Sequence, residues 1–79
     1  MRGKGGVTTL MKPQKTKDVT KHLRSLGWVL LRDAKGSHEI WGLPDESVKH
    51  PIPAGHKEVS GGVLSQLKRK GVPIPRAWQ

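Results

Sequence analysis

The chain has 79 residues, with 15 Lys and Arg against 6 Asp and Glu, a formal net charge of +9. So short a chain makes one small domain whose site lies on its only core, and its cationic excess favours a polyanionic partner such as nucleic acid. The lack of cysteine excludes disulfides and thiolate metal sites and suits a reducing cytoplasm, and no apolar run nears the roughly 18 residues of a spanning helix.

Residues 1–15 carry Arg2, Lys4, Lys12 and Lys15, three glycines and no acid. This composition predicts a flexible basic extension without a secretory apolar core. It serves either as a phosphate-attracting arm or as a passive one, and Met11 offers an alternative start just ahead of the first helix.

Thr16 can cap a helix, Asp18 suits its first turn, and Val19, Leu23 and Leu26 form one apolar stripe. Gly27 ends it. His22 on this helix reads as a surface histidine without a task. Residues 28–32, aromatic and branched, read as a strand; residues 33–36 are a turn; residues 37–43 are the second strand of a hairpin. After a turn at 44–47, residues 48–52 form a third strand, with Val48, His50 and Ile52 on one face. Pro51 cannot donate to a ladder, so this strand lies at an edge.

Residues 53–58 read as a connecting loop. Ser60 caps a second helix with the apolar stripe Val63, Leu64 and Leu67, although Gly61-Gly62 makes a poor first turn. Lys68, Arg69 and Lys70 complement the dipole of its last turn, and Gly71 stops it. The Pro-rich tail, 73–79, is expected to be extended, with Trp78 either packed back or meeting a partner. The order α-β-β-β-α predicts an α+β fold, a three-stranded antiparallel sheet with two helices on one face.

The chemistry centres on His38. An imidazole titrates near pH 6.5, so it can take and return a proton at cellular pH. In RNA the 2′-hydroxyl beside each phosphodiester is a built-in nucleophile. A positioned base that deprotonates it contributes typically 10²–10⁴-fold, without a metal. The four histidines and scattered carboxylates lack the tight spacing of a metal site. A serine nucleophile at Ser37 activated by His38 fails on geometry, because adjacent strand residues point to opposite faces. Arg32 has two readings, a bidentate phosphate clamp or a brace for the hairpin.

Gly27-Trp28, Arg32, Gly36-Ser37-His38 and Trp41, in that order and ahead of a C-terminal helix, resemble the HicA family of toxin ribonucleases. The resemblance covers about residues 17–72, so 16–72 is taken as the domain. It implies the arrangement of a double-stranded-RNA-binding domain and a metal- and cofactor-independent endoribonuclease that cuts messenger RNA in the cytoplasm. It makes His38 the catalytic histidine and places Lys35 and the amides of Gly36 and Ser37 at the scissile phosphate. Arg32, His56 and Lys57 complete the implied RNA-binding set. The family often has a histidine in the loop after the third strand, so His56 is either an acid–base partner or a brace. The implied partner is a HicB-type antitoxin that covers His38 on a monomeric toxin. The alternative is a double-stranded-RNA-binding module without catalysis. The position of Lys68 to Lys70 at the end of the last helix, rather than its start, counts against it.

Overall fold

The structure, a computed structural model, describes residues 11–79. In chain order its elements are β1 (Gln14–Lys15), α1 (Thr16–Ser25), β2 (Val29–Asp33), β3 (Glu39–Gly42), β4 (Lys49–Ile52), β5 (Glu58–Val59), α2 (Gly61–Arg69) and a 3-10 turn (Arg76–Trp78).

Both helices follow from their apolar stripes. Val19 and Leu23 of α1 and Leu64 and Leu67 of α2 are buried. Each helix ends on a glycine in the left-handed region, Gly27 at φ 90° and Gly71 at φ 96°. That backbone turn lets the Trp28 amide donate to the Leu23 carbonyl at 3.0 Å and the Val72 amide to that of Leu67 at 3.1 Å. At the start of α2, Ser60 Oγ accepts from the Val63 amide at 3.3 Å.

Strands β2, β3 and β4 form an antiparallel sheet in that order, and Pro51 sits on the edge strand, where its missing N–H costs nothing. Trp41 opposes His50, and Glu39 opposes Ile52. Trp41, His50 and Ile52 are buried, so this face of the sheet meets the helices. Met11, Trp28, Val59 and Val72 complete a single core with the helix residues. The fold is therefore α+β, with two helices and a three-stranded antiparallel sheet.

Four features differ from the sequence reading. The first ten residues of the expected flexible extension lie outside the described residues, but residues 11–15 are part of the fold. Met11 is 6% exposed, and Gln14–Lys15 pair with Glu58–Val59 as a second, two-stranded sheet. Composition misjudged this segment because one buried methionine and a backbone ladder hold it. Gly61 is the reason it fits: a Cβ there would lie 2.1 Å from the Met11 carbonyl oxygen. Second, Lys15 is the N-cap of α1, without a side-chain bond, and the Thr16 hydroxyl instead donates to the His56 carbonyl at 2.5 Å. Third, the tail is not wholly extended. It closes in the turn at Arg76–Trp78, whose carbonyl at Trp78 accepts from the Lys12 amide at 2.7 Å. Fourth, His22 has a task. Its Nε2 lies 2.6 Å from the Pro73 carbonyl, and its ring meets Trp78 edge-on at 5.2 Å. Trp78 thus packs on α1 and the segment before it.

Candidate active site

Two turns build the site. The first joins β2 to β3, where Gly36 takes φ 67° and the Ala34 amide donates to the His38 carbonyl at 2.9 Å. A residue with a side chain is strained at that φ, which explains glycine there. The turn leaves Lys35, Gly36, Ser37 and His38 exposed at the mouth of the hairpin.

The second turn precedes β5. The His56 amide donates to the Pro53 carbonyl at 3.0 Å, and the Gly55 amide reaches across to the Ser37 carbonyl at 2.7 Å. The two backbones touch here: a Cβ on Gly55 would stand 2.1 Å from Ser37 Cβ. From the other side, the Thr16 hydroxyl and amide bond the carbonyls of His56 and Lys57. The loop is therefore held between the hairpin and the start of α1.

This closure brings together two histidines that are 18 positions apart. The rings of His38 and His56 are 6.4 Å apart between centroids and tilted by 57°. Ring nitrogens at that separation do not bond each other directly, yet one small group between them can touch both. Both rings are exposed and line a cleft of about 350 Å³ with His50, Glu58, Ser60 and Gln66. Such a pair can take a proton from one side of a phosphodiester and return one on the other.

His50 is the buried wall of the cleft. It is 9% exposed, and its Nδ1 has no hydrogen-bond partner. Burial pushes its pKa below the ordinary histidine value, the nearby Lys70 charge pushes it further down, and Gln66 opposes both. The sign of the linkage follows. The unfolded chain titrates near 6.5 and binds the proton more readily than the folded one, so stability is complete above that pH and falls as acid is added. The melting temperature is expected to drop between about pH 7 and pH 5, and to drop less in His50→Gln. An equal drop in that variant would refute the assignment.

Of the residues anticipated at the site, His38 and His56 come together and Ser37 meets the His56 loop at Gly55, while Lys35 and Gly36 lie in the same exposed turn as His38. Lys57 follows His56 and lines a second, larger groove with Lys15, Arg24 and Trp41 rather than the cleft. Arg32 does not join them. Its guanidinium lies 3.4 Å from Glu46 in the turn after β3, and Lys49 lies 3.1 Å from the same oxygen. The Lys49 hydrogen bond and charge, followed by Arg32, hold the Glu46 carboxyl below its usual range. This geometry favours the brace among the two readings of Arg32. His50, Gly55 and Thr16 were not anticipated at the site. Strand alternation already put His50 on the covered face, but its place in the cleft depends on how α2 crosses that face.

Among the described residues, no three His, Asp or Glu side chains converge as a metal site, and no helix is long and apolar enough to cross a membrane. The family model described as HicA toxin of bacterial toxin-antitoxin matches residues 16–72. No curated protein and no solved structure matches the chain.

Proposed function

Because the chain belongs to the HicA family, and so is a toxin of a bacterial toxin–antitoxin system, we propose that it is a metal-independent endoribonuclease acting on messenger RNA. His38 takes the proton from a 2′-hydroxyl, whose oxygen attacks the adjacent phosphorus. The bond from phosphorus to the 5′-oxygen breaks, and His56 supplies the proton that the leaving oxygen needs. The products are a 2′,3′-cyclic phosphate and a 5′-hydroxyl. Lys35 and the amides of Gly36 and Ser37 stabilise the charge on the phosphoryl oxygens. The toxin acts as a monomer in the cytoplasm, and a HicB-type antitoxin silences it by covering the cleft.

The observation that supports this reading is the exposed His38–His56 pair, set 6.4 Å apart by a backbone contact between two turns. A module that only bound duplex RNA would have no use for two facing imidazoles, and α2 opens on Ser60-Gly61-Gly62 rather than on cations.

The test is the chemistry of the cut ends. RNA treated with the purified chain should end in 2′,3′-cyclic phosphate or 3′-phosphate, at a rate that EDTA leaves unchanged. A 3′-hydroxyl end would exclude attack by the 2′-oxygen, and strong inhibition by EDTA would exclude a metal-free route.

A further inference from the structure

Beside the cleft lies a larger groove of about 940 Å³, between α1, β3 and the loop ahead of β5. His56 and Glu58 line both, so the two spaces adjoin. Four cations face the groove, Lys15, Lys17, Arg24 and Lys57, against two carboxylates, Glu39 and Glu58. One of these carboxylates is engaged: Glu39 accepts the Trp41 indole N–H at 2.9 Å.

The floor of the groove has a particular construction. Arg24 Cζ lies 5.0 Å from the centroid of the Trp41 ring. The indole is 2% exposed, whereas Arg24 is exposed, so the guanidinium is what the groove presents. A guanidinium laid over an indole is steadied by cation–π attraction and offers a flat cationic surface. Such planes, like aromatic rings, hold unpaired bases by stacking.

We propose that this groove binds the unpaired ribonucleotides on one side of the scissile phosphate, with their phosphates on Lys15, Lys17 and Lys57 and one base stacked on Arg24. The proposal rests on the nuclease reading of the adjoining cleft. A phosphodiester held between His38 and His56 puts the neighbouring nucleotides beside the groove, across the shared residues His56 and Glu58. The groove has the volume of sites that hold a small-molecule ligand, enough for a few splayed nucleotides. The cleavage chemistry agrees. Attack by the 2′-oxygen needs that oxygen in line with the leaving 5′-oxygen, an alignment that a regular A-form helix prevents and a flexible strand allows. The class of substrate is therefore single-stranded RNA, gripped beside the cut by charge and by one stacked base.

The test uses the full chain and a short 2′-O-methyl oligoribonucleotide, which lacks the nucleophile and stays intact, with affinity read by fluorescence anisotropy. Arg24→Ala should weaken binding about tenfold or more, and Arg24→Lys, which keeps the charge and loses the plane, should recover little of it. Lys15→Ala and Lys17→Ala should each flatten the dependence of log affinity on log salt by about 0.7. The same sequence as a duplex should bind more weakly than the single strand. Wild-type affinity in both Arg24 variants, or tighter binding of the duplex, would overturn the groove assignment. Thermal melts of each variant show whether a loss of affinity reflects a loss of fold. RNA cleavage by the wild-type chain, measured alongside, separates the two readings. A chain that cuts RNA yet binds regardless of Arg24 keeps the nuclease and loses the groove; one that binds through Arg24 and cuts nothing does the reverse.

Discussion

Replacing His38 with alanine is expected to lower RNA cleavage by about 10²–10⁴-fold, the usual contribution of one positioned proton-transfer group. The fold should not notice. His38 is exposed at the end of a turn whose hydrogen bonds are made by backbone atoms, so its ring carries no packing. Exposed substitutions of that kind usually stay within about 0.5 kcal/mol of wild type. Single-turnover cleavage and a thermal melt on the same sample read the two effects separately. A variant that still cuts at a tenth of the wild-type rate would refute the role. The partner assignment is checked with a substrate whose bridging 5′-oxygen is replaced by sulfur, a leaving group that needs no proton. That substrate should restore cleavage to His56→Ala and leave His38→Ala inactive. Rescue of His38→Ala instead would exchange the two roles.

Gly55→Ala should be nearly as damaging, although it touches neither ring. Gly55 does not lie in the left-handed region, so alanine suits its backbone and the only obstacle is space. The added Cβ would stand 2.1 Å from Ser37 Cβ and 3.2 Å from Ser37 Cα, and a backbone atom cannot swing aside as a side-chain tip can. The loop must move by about an ångström, which takes His56 away from His38. A shift of that size can lower a rate by about 10²-fold. The double variant Gly55→Ala with Ser37→Gly removes the opposing Cβ and should regain most of the lost activity. A fully active single variant would mean that the contact between the turns does not set the spacing of the pair.

What could be read in the sequence was local. The stripes Val19–Leu23 and Leu64–Leu67 gave the helices, Gly27 and Gly71 gave their ends, and Pro51 gave the sheet edge. Each depends on neighbours within a turn or two. The turn before His38 was equally legible from Gly36, although the strand after it opens at Glu39 and not at Ser37. What escaped was carried by contacts between distant segments. Thr16 meets the loop at His56, 40 positions away, and His22 meets Pro73, 51 positions away. A hydroxyl at the start of a helix looks like a cap until a distant carbonyl takes it, and a histidine on a helix surface looks idle until a tail lies over it. Met11 is the sharpest case. Nothing in a stretch of lysines and glycines announces a core residue. Its burial exists only because Gly61 leaves room for its carbonyl and Trp78 closes over the segment.

The way that tail is fastened gives the chain a built-in optical signal. Of its three tryptophans, Trp28 and Trp41 lie in the interior, and only Trp78 stands partly in water, edge-on to His22. Indole emission responds to solvent and to a nearby imidazole, so undocking the tail alters the fluorescence of Trp78 and leaves the other two as an internal reference. The seating of the tail can thus be followed in real time during titration with RNA or antitoxin, with no label attached.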